Sequence, residues 1–318
     1  MKLATVLTPL SEENLALSAQ CGVQGVTIRY PGPGLDDLLA AKQKIEDHGM
    51  EVVAIEGFLP IENIKTGTDQ DGNDIRAFKD LIRHMGQAGI PVLCYNFMAG
   101  TDWVRTRIDA EARGGAKVTA FDLVDAEQAV SLNSNEQVIS TTSISSDELW
   151  IWLERFLREV IPVAEECQVT LAMHPDDPPL PEFHGKSRIM NSVAGFERLI
   201  SLVPSPYNAI CFCMGTFVEM GVDIPTAIRR LGSHIRYVHF RDVEGTADSF
   251  METFHDNGPT NMAAVIRALR EINYTGPIRP DHVPQLYGED AGEPGYTMLG
   301  RLFAFGYIRG LLQATETV

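Results

Sequence analysis

The sequence predicts a single (β/α)8 TIM barrel with loop insertions on its mouth side. Three observations carry that prediction. Strand-like apolar runs alternate with amphipathic helical stretches from one end of the chain to the other. They make about eight strand–helix units, the number that closes a parallel barrel. Several of the runs also finish on residue types that bind divalent metals, and a parallel barrel gathers the C-terminal ends of its strands around one mouth.

In chain order the candidate strands lie near residues 2–7, 23–29, 51–58, 91–97, 168–174, 208–214, 235–240 and 277–281. Thr8-Pro9 interrupts the first run. Helical periodicity, with apolar residues three or four positions apart, follows at 35–48, 74–88, 146–166, 192–203 and 261–272. A doubly wound open sheet is the competing α/β arrangement, but no GxGxxG turn follows the first strand. The 318 residues suit one domain, 1–318, with two long excursions. Residues 98–145 hold Arg105, Arg107, Arg113, the Gly114-Gly115 pair and then a Ser/Asn/Thr-rich portion; residues 175–191 hold Pro175, Pro178, Pro179 and Pro181. Both follow strands and so belong on the mouth side, where long loops cover or complete an active site.

Composition narrows the function classes. With 44% hydrophobic and 22% charged residues the chain has the make-up of a soluble globular protein. A formal charge of -17 disfavours nucleic acid and anionic membrane surfaces, both of which need a basic patch. No run is long enough to cross a membrane, and the N-terminal apolar run is too short for a secretory signal. Five cysteines in no compact framework suit reduced thiols and a cytoplasmic setting. A small-molecule ligand and a homo-oligomeric state are the expected associations.

The chemistry-bearing residues sit where strands end. The runs Leu171-Ala172-Met173-His174, Ile210-Cys211-Phe212-Cys213, Tyr237-Val238-His239 and Arg279-Pro280-Asp281-His282 each reach a potential ligand at the mouth. Strand side chains alternate, so Cys211 and Cys213 share a face, and Cys213 is nearer the mouth. Taken singly, a strand cysteine packs as a small core residue and an interior histidine is hydrogen-bonded. Four together, His174, Cys213, His239 and Asp281, make a site for a transition ion such as Mn, Fe, Co or Zn. His48, His84 and His234 fall in or near helices and suit surface or capping roles, whereas His184 and His255 fall in mouth-side loops and are candidates for substrate contact. Trp150 and Trp152 belong to a helix and pack; Trp103, in the first insertion, is placed to line the pocket.

Read in order, Cys94-Tyr95-Asn96-Phe97-Met98, Asp102-Trp103-Val104-Arg105-Thr106, His174-Pro175-Asp176-Asp177-Pro178-Pro179, Cys213-Met214-Gly215-Thr216, His239-Phe240-Arg241, Arg279-Pro280-Asp281-His282, Gly295-Tyr296 and Gly300-Arg301 resemble the D-mannonate dehydratase family. The likeness covers nearly the whole chain. It implies a xylose-isomerase-like barrel that binds Mn2+ or Fe2+ and converts D-mannonate, or a close aldonic acid, to 2-keto-3-deoxy-D-gluconate and water, a step of hexuronate catabolism. It places the metal ligands on His174, Cys213, His239 and Asp281 and the catalytic pair on His282 and Tyr296. The chain departs from the family at Gly100-Thr101, at Arg107-Ile108 and over residues 183–188, all in mouth-side loops, which puts the sugar acid in question rather than the chemistry.

Removing the weakly acidic C2 proton of such an acid needs charge stabilisation on the neighbouring carboxylate, one group to take the proton and another to protonate the departing hydroxyl. Arg105 and Arg301 are candidates either for holding the carboxylate or for the positive charge that a tyrosine needs to act as base, with Asn96 and Trp103 contacting substrate as well. Tyr95 is either a substrate contact or packed, and Arg279 is either a second cation or one half of a structural ion pair. A metal-dependent sugar isomerase or epimerase is the rival enzyme; Lys186 is the one lysine the sequence offers it at the mouth. A catalytically silent sugar-acid binder is the rival from another class, and it has no use for a paired acid and base.

Overall fold

The computed structural model describes residues 1–101, 103–132 and 142–316. Asp102 of the resemblance motif and residues 133–141, within the Ser/Asn/Thr-rich portion, lie outside the described residues.

Eight parallel strands close a barrel: β1 (Lys2–Val6), β2 (Gly25–Ile28), β3 (Glu51–Glu56), β4 (Val92–Tyr95), β5 (Thr170–Met173), β6 (Asn208–Cys213), β7 (Ile235–His239) and β8 (Pro277–Arg279). Each pairs with its sequence neighbours, and β1 pairs with β8 through Lys2↔Pro277 and Leu3↔Ile278. The strands are covered on both faces, which is why they read as apolar runs rather than as alternating ones. Inside the barrel, Ala54, Val92, Cys94, Ala172, Cys211 and Tyr237 form a buried layer of mostly small side chains.

A long helix follows every strand: α1 (Glu12–Gln20), α2 (Leu35–Glu46), α3 (Asn73–Ala88), α4 (Ser146–Cys167), α5 (Val193–Leu202), α6 (Ile224–Leu231), α7 (Met262–Glu271) and α8 (Met298–Ala314). Local signals start them. Ser145 and Glu148 form a reciprocal capping box at α4, and Ser11, Ser192, Asp223 and Asn261 cap α1, α5, α6 and α7 by accepting from backbone N–H groups. The apolar stripe of α3, Ile75, Phe78, Leu81, Ile82 and Met85, is buried, and Phe78 meets Phe156 of α4 edge-on with ring centres 5.0 Å apart. Each such side chain contributes roughly 1.5–3 kcal/mol by leaving water.

The mouth side is more built up than the two anticipated insertions. Residues 98–145 contain the strands Arg107–Glu111 and Lys117–Asp122, and a hairpin of Val243–Thr246 and Ser249–Glu252, following β7, joins them in a four-stranded antiparallel sheet. That third excursion was not expected from the sequence. The stretch 175–191 carries its own short hairpin, Glu182–Phe183 with Lys186–Ser187.

Candidate metal centre and active site

The ends of β5, β6, β7 and β8 bring His174, Cys213, His239 and Asp281 together, with one ligand atom from each lying within 4.8 Å of the other three. Register explains part of this: Cys213 pairs with His239, and His239 with Arg279 two residues before Asp281. Cys213 Sγ lies 3.5 Å from Asp281 Oδ2, and His239 Nδ1 lies 3.7 Å from that oxygen. All four residues are buried.

The electrostatics suit a cation. Burial would raise the Cys213 thiol, but the Arg241 guanidinium and the His174 imidazole bring it well below its ordinary value. Burial opposes ionisation of Asp281 too, and Arg279, His282, His239 and Arg241 outweigh it. Burial works against a charged His174 and the Cys213 thiolate works for it, with a net upward shift; for His239, burial and Arg279 are overcome by Glu56 and Asp281. Two imidazoles, a thiolate and a carboxylate are a donor set for a borderline divalent transition ion, which takes the place of the imidazole protons. The donors fit such an ion.

Beside the cluster, His282 follows Asp281 directly, and its ring lies edge-on to Tyr296 with centres 5.3 Å apart. Gly295, at φ +79°, turns the chain so that Tyr296 faces His282; a side chain there would meet the His282 ring at 3.3 Å. His282 Nδ1 lies 2.7 Å from Glu252 Oε1. Burial raises the Tyr296 phenol, with Arg29 partly offsetting the effect.

The two arginines singled out in sequence occupy different settings. Arg105 is fully buried and saturated: Nη1 donates to Asp177 Oδ1 at 2.7 Å, Nη2 to Glu252 Oε1 at 2.9 Å and Nε to Thr119 at 3.3 Å. Arg301 donates from Nε to the Tyr296 carbonyl at 3.2 Å and from Nη1 to Thr5 at 3.1 Å, while its buried Nη2 has no protein partner among the described residues. Its guanidinium and that of Arg29 each stand 5.0 Å from the Tyr296 ring centre. Asn96 Oδ1 accepts from Lys65 Nζ at 2.8 Å and from the Met98 N–H at 3.1 Å. Trp103, at φ 44°, sets its ring edge-on to His174 at 5.6 Å, and a cleft lined by Phe58, Lys65, Asn96 and Trp103 opens there. A cavity of about 520 Å³ lies at the opposite end of the barrel, beside Lys2, Arg236 and Gly276, and is remote from this chemistry.

Tyr95 packs between Phe78 and Phe156, with its hydroxyl buried and without a partner among the described residues. Arg279 is the core of an ion-pair cluster, bound to Glu56 at 2.7 Å and to Asp281 at 2.9 Å. His255 is buried near Glu252 and Asp281, whereas His184 is partly exposed with Nε2 at 3.2 Å from the Ala126 carbonyl. Residues that the sequence reading passed over are Glu56, Lys65, Asp177 as an ion-pair partner, Glu219, Arg29 and above all Glu252, which accepts from His282, Arg105 and Arg241 on one oxygen. Glu252 sits in a four-residue strand with no motif around it, so no local signal announced it.

The profile of the family described as D-mannonate dehydratase (UxuA) matches residues 13–142 and 126–318. The chain belongs to the D-mannonate dehydratase family. It is 36% identical to a mannonate dehydratase of Oceanobacillus iheyensis over 303 residues, covering 89% of this chain and 86% of that one. A mannonate dehydratase of Enterococcus faecalis is 33% identical over 329 residues, with 93% and 92% covered. Among solved structures, that of a mannonate dehydratase from Streptococcus suis serotype 2 superposes with a TM-score of 0.86 at 30% identity, covering 99% of this chain and 94% of that one. An L-ribulose 3-epimerase, at 16% identity and a TM-score of 0.64, shares the fold of this D-mannonate dehydratase family member and no more.

Proposed function

We propose that the protein is a divalent-metal-dependent hydro-lyase that dehydrates D-mannonate, or a closely related aldonic acid, to 2-keto-3-deoxy-D-gluconate and water. The observation that carries this reading is the convergence of four ligand atoms within 4.8 Å beside a His282–Tyr296 pair, in a chain of the mannonate dehydratase family. His174, Cys213, His239 and Asp281 hold the ion, for which Mn2+ and Fe2+ are our candidates. When bound, it supplies Lewis acidity at the substrate carboxylate and an adjacent hydroxyl, which stabilises the charge that builds as the C2 proton leaves.

The protein's own groups do the rest. Glu252 accepts the Nδ1 proton of His282, which leaves Nε2 with its lone pair free and makes His282 the base for C2. Tyr296, whose raised phenol stays protonated at neutral pH, is the acid that donates to the leaving C3 hydroxyl. The free Nη2 of Arg301 and the cation of Arg29 hold the substrate carboxylate, and Arg105 acts through Glu252 and Asp177 as a positioning residue. The Asn96 amide NH2 and the Trp103 ring contact substrate from the cleft. The buried Lys65 beside Asn96, like the buried Lys186, serves an isomerase or epimerase reading. A product assay separates the two, since only dehydration forms a 2-keto-3-deoxy acid. Mn2+- or Fe2+-loaded protein incubated with D-mannonate and D-gluconate should yield that product from at least one; none from any aldonic acid overturns the reading. A cytoplasmic setting is supported by five cysteines that are all free, and a homo-oligomer remains our expectation, to be measured by light scattering.

A further inference from the structure

One layer below the proposed centre, inside the barrel, Cys94 of β4 and Cys211 of β6 face the other side of His239. Their sulfurs and a His239 ring nitrogen lie within 4.8 Å of one another, and all three residues are buried. His239 presents its two nitrogens to different neighbours: Nδ1 is near Asp281, while Nε2 is 3.3 Å from Cys211 Sγ and 3.2 Å from Glu56 Oε2. The cysteines come from strands separated by β5, where Ala172 pairs with Cys94 on one side and with Ala209, two residues before Cys211, on the other. Two sheet spacings put their Cα atoms roughly 9–10 Å apart, beyond the reach of a disulfide. A tetrahedral ion bound at ordinary Zn–S and Zn–N lengths sets its ligand atoms about 3.5–3.8 Å apart; Cys211 Sγ and His239 Nε2 are 3.3 Å apart and all three ligand atoms lie within 4.8 Å of one another.

We propose that Cys94, Cys211 and His239 form a second metal site, selective for a soft ion such as Cd2+, that shares His239 with the mouth-side centre. Two thiolates and one imidazole favour soft ions, whereas the upper set, with one thiolate and a carboxylate, suits a borderline one. The shared imidazole couples the two, so an ion lodged below alters the ligand available above. The proposal rests on the mouth-side metal centre of the proposed function but not on the dehydration reaction, and it is tested without activity.

Metal-free protein is titrated with Cd2+, following near-ultraviolet sulfur-to-cadmium absorption and counting sulfur neighbours by X-ray absorption. Two ions bind the wild-type chain, with an average of about 1.5 sulfurs each for three thiolates over two sites. Cys213→Ser keeps an ion with two sulfur neighbours, and the Cys94→Ala, Cys211→Ala double variant retains one ion with one. A wild-type stoichiometry of one ion bearing one sulfur, or a double variant with the wild-type sulfur absorption, overturns the proposal. Circular dichroism checks the fold of each variant, and the wild-type sulfur count decides the matter if the core variants do not fold. Loss of activity with Mn2+ bears only on the dehydratase reading.

Discussion

Arg105 and Arg301 carry the same charge into the same end of the barrel, yet their partners give them different work. Every Arg105 nitrogen already faces an acceptor, while Arg301 keeps one buried N–H free, and an unbonded buried donor costs about 1–3 kcal/mol unless a ligand meets it. The same reasoning separates His282 from its neighbours. Replacing His282 with Asn keeps a donor toward Glu252 but removes the free ring nitrogen, so turnover should fall by at least ~10²-fold while bound metal stays unchanged. Steady-state product formation and metal analysis on one sample check this; retained activity removes His282 from its role as base. Tyr296→Phe should produce a similar loss with metal again retained, since it deletes only the phenolic hydroxyl that carries the donated proton. Tyr95 makes the contrary case. Its hydroxyl is buried without a partner among the described residues, so Tyr95→Phe should leave KM unchanged and either leave Tm unchanged or raise it, and a higher KM would mean that Tyr95 touches substrate after all.

Among the elements, the excursion after β7 matters most for what surrounds the site. Its hairpin places Glu252 against Arg105, Arg241 and His282, and Asp177, following β5, completes the network by pairing with Arg105 at 2.7 Å and Arg241 at 2.8 Å. Gly215 belongs to the same construction, because a side chain there would strike the Arg241 guanidinium at 2.7 Å. Removing one member of a buried ion network leaves the others charged and unpaired, so Asp177→Asn should destabilise the fold by about 3–5 kcal/mol. A urea midpoint that does not move would show that the arginines find other partners. The strands were legible because burial on both faces writes them as apolar runs, and the four ligands because each closes such a run. Glu252 and Lys65 were not, since a four-residue strand and a four-residue helix carry no periodicity to read. The departures at Gly100-Thr101 and residues 183–188, far apart in sequence, meet in space: Arg188 Nη2 donates to the Thr101 carbonyl at 2.6 Å, and Gly100, at φ +60°, lies against the Lys186 amine. Contacts of that kind leave no trace in a single chain.

For the molecule as a whole, so many buried ionisable groups make stability a function of pH. Burial alone would raise the Glu252 carboxyl, but Arg241, His282 and Arg105 bring it down to about 2. Unfolded glutamate titrates at about 4.3, so this group's contribution is complete above that pH and is lost as pH falls through about 2; it is on the order of 3 kcal/mol. His255 acts in a higher window. Burial holds its imidazole down to about 4, outweighing the Phe240 carbonyl and the carboxylates of Glu252 and Asp281. The unfolded chain takes up that proton near pH 6.5 and the folded chain does not, so stability is complete above about 6.5 and declines toward 4, again by on the order of 3 kcal/mol. Together the two losses approach the whole stability of a typical domain, roughly 5–15 kcal/mol. Urea midpoints should therefore fall from about pH 6.5 downward, with a second decline below about pH 4.3. His255→Gln should flatten the upper window and leave the lower one in place, whatever its effect on stability at neutral pH. An unchanged slope between pH 6.5 and 4 in that variant would mean that the folded protein already accommodates a charged His255, and that burial there costs less than the surrounding carboxylates return.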